Sequence, residues 1–123
     1  MLARQIMVVD DDPVMCQLAR SELEQTGWYH VTAVPDGALA LAAMRRHPPD
    51  LVVLDLVMPG LDGPEIAHRI KCDPALFRIP VVFRSSLFTT DEAREAPMGC
   101  RYLAKPTNPG ELLACIEDVL GRH

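Results

Sequence analysis

Asp10, Asp11 and Asp12 follow the apolar run Ile6-Met7-Val8-Val9, and Asp55 follows a second run, Leu51-Val52-Val53-Leu54. If the two runs are neighbouring strands, acids far apart in sequence crowd into one patch, repel one another and call for a shared cation. Mg²⁺, a hard ion that takes oxygen ligands, is the usual intracellular answer, and an acid held beside it is placed for phosphoryl chemistry. Ser85 follows Val81-Val82-Phe83-Arg84, and Lys105 follows Tyr102-Leu103-Ala104, so two further strand ends add a hydroxyl and an ammonium. Metal, Lys105 and Ser85 together would match three phosphoryl oxygens electrostatically.

Each residue also has a plainer reading. An acid before a proline suits a helix start, and Asp12 is assigned to that capping role ahead of Pro13. The same reading leaves a second acid at positions 10 and 11 unexplained. It fits Asp55 poorly, because Leu56-Val57-Met58-Pro59-Gly60-Leu61-Asp62-Gly63 is a run of turn residues. Lys105 alone would be charge balance, and Ser85 alone a strand-end hydrogen bond.

The acids converge only if the chain builds a parallel sheet. Apolar runs at 6–9, 51–54 and 81–83, with weaker ones at 31–34 and 102–104, alternate with segments of helical period. The expected fold is therefore α/β: a five-stranded parallel sheet of order 2-1-3-4-5, doubly wound and flavodoxin-like, whose ligands bind between the first and third strands. Helices are expected from Pro13 to Gln25, with Val14, Leu18 and Leu23 broadly on one side, from Gly37 to Arg46, and from Pro64 to about Lys71. The last should start with Asn108 as cap and Pro109 at its first position, and end at Gly121. The fourth, at 89–96, should be short or irregular because Pro97 and Gly99 cut it off.

A chain of 123 residues with 49% hydrophobic content suits one core, so a single domain over 1–123 is expected, with no output segment after His123. No apolar stretch is long enough to span a bilayer, and no signal-peptide core follows Met1-Leu2-Ala3-Arg4, which points to a cytoplasmic protein without membrane contact. A net charge of -5 without a basic stripe argues against nucleic-acid binding by this domain. Cys16, Cys72, Cys100 and Cys115 have no C-x-x-C or zinc-finger spacing and are expected to be buried thiols. Trp28 and Tyr29, entering a strand, are expected to be packed.

Four stretches in order, Val8-Val9-Asp10-Asp11-Asp12-Pro13, Leu54-Asp55 with its Met58-Pro59-Gly60-Leu61-Asp62-Gly63 loop, Ile79-Pro80-Val81-Val82 leading to Ser85, and Tyr102-Leu103-Ala104-Lys105-Pro106, resemble the receiver domain of two-component response regulators. The resemblance covers essentially the entire chain. It implies that Asp55 is the phosphoacceptor, served by a sensor histidine kinase, a phosphotransfer protein or a small phosphodonor. It implies that Asp10, Asp11, Asp55 and the Val57 backbone carbonyl hold Mg²⁺, with Asp10 acting largely through water. Lys105 and Ser85 would grip the acyl phosphate, Tyr102 would be the switch aromatic, and Lys105-Pro106 is a candidate cis peptide. Such a domain signals by protein contact, through the fourth helix, fifth strand and fifth helix, to a downstream target; a homodimer stays open. It is not a metabolic enzyme.

The chain departs from the family pattern at Arg84, where an apolar or small residue is usual. Strand alternation points Arg84 away from Ser85, and its side chain is expected to snorkel at the strand end. The Ser85–Lys105 interval is about two residues short by comparison with the family and contains Pro97, which suggests an unusual output surface. Val57 and Leu87 flank the path of water to phosphorus and cannot orient it, so slow self-hydrolysis is expected. Two other readings stay open. Asp10-x-Asp12 also resembles the first motif of haloacid-dehalogenase-type phosphatases, which would make Asp10 the nucleophile, Asp12 the acid/base and Lys105 the phosphoryl stabiliser, although Pro13-Val14 replaces the expected Gly-Thr and no late acid pair follows. The third is a receiver-like binding module that works without phosphorylation.

Overall fold

Runs rich in Val, Ile and Leu become the strands, and the segments of helical period between them become helices. A computed structural model describes residues 3–56, 63–85, 101–104 and 110–121. In chain order these form β1 (Arg4–Val9), α1 (Pro13–Glu24), β2 (Tyr29–Val34), α2 (Gly37–Arg46), β3 (Leu51–Asp55), α3 (Gly63–Cys72), β4 (Val81–Ser85), β5 (Arg101–Ala104) and the C-terminal helix α4 (Glu111–Leu120). The strands pair in parallel in the order β2-β1-β3-β4-β5, as the alternation of runs leads one to expect. The short helix expected at 89–96 lies outside the described residues.

Two apolar layers sandwich the sheet. Met7, Val9, Val52, Leu54, Val81 and Phe83 pack under α2 and α3 with Met44, Ile66 and Ile70. On the opposite face, Ile6, Val8, Leu51, Val53 and Val82 pack under α1 and α4 with Leu23, Leu112 and Ile116. Because strand side chains alternate, β1, β3 and β4 each feed both layers, which is why their central residues are apolar throughout rather than at every second position.

Caps fix where the helices begin. Asp12 caps α1 as expected, its Oδ1 accepting the Val14 N–H at 2.9 Å, with Pro13 in the first turn. Asp36 caps α2 by accepting the Leu39 N–H at 3.0 Å. Within α1 the buried stripe is Cys16, Ala19 and Leu23, while Val14 and Leu18 face outward at 60% and 58% exposure, which corrects the expected grouping. A spacing of three and then four residues keeps one helical face, whereas Val14 lies two residues from Cys16 and so on the far side.

α4 starts at Glu111 rather than Pro109, with Gly110 at its cap in the left-handed region (φ 89°). The Gly110 N–H donates to Glu22 Oε1 of α1 at 2.8 Å, a long-range bond at the start of the helix. Asn108 and Pro109 themselves lie outside the described residues. The left-handed Gly121 ends α4 as expected. Tyr29 is buried and Trp28 is 42% exposed, so the packed reading holds for the first alone. Cys16 and Cys115 are buried, Cys72 is exposed against expectation, and Cys100 lies outside the described residues.

Candidate functional site

The layer under α1 and α4 places the acids. Ile6 and Val8 lead along β1 to Asp10, and Leu51 and Val53 lead along β3 to Asp55, so alternation brings both carboxylates to the same face of the sheet at its carboxyl edge. Asp10 and Asp55 are buried, Asp11 is exposed, and one carboxylate oxygen from each lies within 4.8 Å of the others. The convergence expected of these three residues is therefore present.

Backbone bonds hold the two strand ends. The Asp10 N–H donates to the Val34 carbonyl of β2 at 3.2 Å, which carries the sheet pattern one residue beyond β1. Asp10 Oδ1 accepts the Asp12 N–H at 2.9 Å, and the Cys16 thiol donates to the Asp10 carbonyl at 3.3 Å. Beyond β3, the Leu56 N–H donates to the Arg84 carbonyl at 3.0 Å, and the Gly63 N–H donates to the Leu56 carbonyl at 3.3 Å. Gly63 lies so close that a Cβ there would strike the Asp55 carbonyl oxygen and come within 2.9 Å of Leu56 Cα. Only glycine lets α3 start against the chain that carries Asp55.

Three carboxylate oxygens in one small volume form a hard donor set, which fits a divalent ion such as Mg²⁺ and offers nothing to a soft one. A cleft of about 510 Å³ opens beside them, lined by Asp10, Asp11, Pro13, Cys16, Gln17 and Arg20 among others. Small charged ligands can therefore reach the acids from the α1 side.

Arg84 does not snorkel. Its side chain is buried, with the residue only 3% exposed, and Nη2 stands 3.5 Å from Asp10 Oδ2. Val82 packs in the layer of Val8 and Val53, so alternation along β4 sends Arg84 to the same face as Asp10 and Asp55. Arg84 is also the in-register partner of Asp55 across the β3–β4 pair. Among the described residues its Nε and Nη2 have no hydrogen-bond acceptor. A buried donor without a partner costs about 1–3 kcal/mol. Arg84 is the site residue that the sequence reading placed wrongly; the Val82-x-Arg84 spacing matches Val8-x-Asp10 and Val53-x-Asp55, and it becomes a signal only once the register of β4 with β3 is known.

Ser85 ends β4 opposite Ala104 of β5, and Tyr102 pairs with Phe83 in the same ladder. The side chains of Ser85 and Tyr102 lie outside the described residues, as do Val57, Leu87, Lys105 and the Lys105–Pro106 bond.

Comparison with known proteins agrees with this geometry. The family model for the response regulator receiver domain matches residues 6–117. DivK of Brucella ovis, a polar-differentiation response regulator, is 30% identical over 98% of this chain and 98% of its own length. MtrA of Mycolicibacterium smegmatis, a DNA-binding response regulator, is 32% identical over 99% of this chain but 53% of its own. The chain spans about half the length of MtrA and several other curated relatives. A response regulator crystal structure from Desulfuromonas acetoxidans superposes with a TM-score of 0.84 at 28% identity, covering 96% of this chain and 97% of that one.

Proposed function

The chain belongs to the response regulator receiver domain family, and within that family we propose that Asp55 is its phosphoacceptor. The family is one of two-component signalling domains whose switch is an aspartyl phosphate, rather than one of metabolic enzymes. The observation that carries the assignment is the meeting of Asp10, Asp11 and Asp55 within 4.8 Å at the carboxyl edge of the sheet. Asp55 is the member of the three that ends a central strand, buried with Asp10 and Asp11 beside it.

In this reading Asp10, Asp11, Asp55 and the Val57 carbonyl hold Mg²⁺, which supplies charge neutralisation at the phosphoryl oxygens. An oxygen of Asp55 attacks phosphorus of a phosphohistidine. The new O–P bond forms as the N–P bond breaks, and the histidine nitrogen leaves with the electron pair. Lys105 and Ser85 grip the transferred group, and Tyr102 responds to the movement of Ser85. The phosphoryl group replaces one negative charge by roughly two and adds acceptor oxygens. It shifts the domain only by binding one conformation better than another.

The proposed donors are a sensor histidine kinase or a phosphotransfer protein, and the setting is the cytoplasm. No helix among the described residues is long and apolar enough to cross a membrane. Acetyl phosphate with Mg²⁺ should add one phosphoryl group to the wild-type chain, measured by intact mass. It should add none to Asp55→Asn, and none to wild type in excess chelator. Metal-independent labelling, or labelling that survives Asp55→Asn, would overturn the assignment.

A further inference from the structure

Among the described residues, a cation already stands against the acid cluster: Arg84, with Nη2 3.5 Å from Asp10 Oδ2. Among the described residues it is a buried guanidinium aimed at the acids, and its burial has no apolar rationale, because the equivalent place on β1 and β3 is taken by Asp10 and Asp55. Both oxygens of Asp10 are engaged: Oδ1 accepts the Asp12 N–H at 2.9 Å, and Oδ2 faces Arg84 Nη2 at 3.5 Å. The second contact is an ion pair without a hydrogen bond, and it leaves Nε and Nη2 lacking an acceptor among the described residues. A charged fork with donors to spare, held next to Asp55 in the ladder, suits the oxygens of a phosphoryl group better than it suits a carboxylate it does not reach squarely.

We propose that Arg84 is a resident cation of the pocket: it opposes divalent-ion loading at Asp10 in the resting state and becomes an additional ligand of the phosphoryl group on Asp55. The inference rests on the metal and phosphoryl reading above and adds to it a residue at a position where the family pattern has an apolar or small side chain. The physical basis is charge. Three carboxylates with one fixed guanidinium attract a divalent ion less than three carboxylates alone, and the like charge of Arg84 repels it directly. An arriving phosphoryl group reverses the balance, since it brings about two negative charges and acceptor oxygens to donors that lack them. Metal and phosphoryl group then favour each other's binding, and the coupling is reciprocal.

Calorimetric titration separates the two effects without any turnover. Mg²⁺ alone is titrated into wild type and Arg84→Met, and beryllofluoride is then titrated into each at saturating Mg²⁺, with circular dichroism checking the fold. Arg84→Met should bind Mg²⁺ more tightly, on the order of tenfold, through loss of the repelling charge. It should bind beryllofluoride more weakly, by at least several-fold. Arg84→Gln, polar but uncharged, gives the same two readings should the methionine variant fail to fold. A folded variant in which either constant equals that of wild type overturns the proposal. Wild-type protein that takes up neither Mg²⁺ nor beryllofluoride would instead overturn the Asp55 reading, and the role of Arg84 with it.

Discussion

A charged side chain at the end of a buried strand is read correctly only if its neighbours in the layer are known. Asp10 and Asp55 were legible because each ends an apolar run, and a strand end is where an acid can be both buried and useful. Arg84 was not, because a long basic side chain at a strand end has two physical solutions, out to water along its stem or inward to an acid. The choice depends on which layer Val82 joins, and that is settled by register with β3 rather than by the local sequence. Gly63 was equally silent. It reads as one turn residue among several, whereas in the fold it is the point where α3 touches the Asp55 carbonyl. Gly63→Ala should therefore cost about 1–3 kcal/mol, the usual penalty of forcing an extra methyl against packed backbone. It should also weaken Mg²⁺ binding by displacing Asp55. Urea denaturation with a parallel Mg²⁺ titration checks both, and an unchanged midpoint would show that the contact is relaxed at no cost.

Helix boundaries were legible where a local cap sets them and obscure where a distant residue does. Asp12-Pro13 and Asp36-Gly37 start α1 and α2 as read, because the capping oxygen lies two or three residues from the N–H it accepts. α4 starts at Glu111, after a left-handed Gly110 whose N–H is held by Glu22, 88 residues away in sequence. The turn after α3 combines a local hydrogen bond with a tertiary ion pair. Asp73 Oδ1 accepts the Ala75 N–H at 2.8 Å, and Oδ2 pairs with Arg45 Nε of α2 at 3.1 Å. The Ala75 amide first, and then Arg45, hold the Asp73 carboxyl below the ordinary carboxylate value. A carboxyl with a depressed folded pKa stabilises the fold above its unfolded pKa, and the contribution is lost as pH falls through the folded pKa. The melting-temperature gap between wild type and Asp73→Asn should accordingly be present at neutral pH and close in acid. A gap independent of pH would mean that the charge contributes nothing, which is a common result for exposed ion pairs.

The fold as an entity was the most legible feature, because five apolar runs separated by helix-length segments admit few arrangements. Parallel strands need crossovers, crossovers lay helices on both faces, and a sheet covered on both faces needs strands that are apolar throughout. The strand order β2-β1-β3-β4-β5 then sets β1 beside β3 and gathers acids 45 residues apart in sequence (55 minus 10). What periodicity does not reveal is charge balance inside the gathered site, where one arginine changes the net charge facing a metal ion. The most direct test of the account is to find which side chain carries the phosphoryl group. Wild-type chain treated with acetyl phosphate and Mg²⁺ is reduced with borohydride, which converts an aspartyl phosphate to homoserine, and the peptides are sequenced by mass spectrometry. Homoserine at position 55 alone is the predicted result; homoserine at position 10, the nucleophile of the competing phosphatase reading, would contradict it.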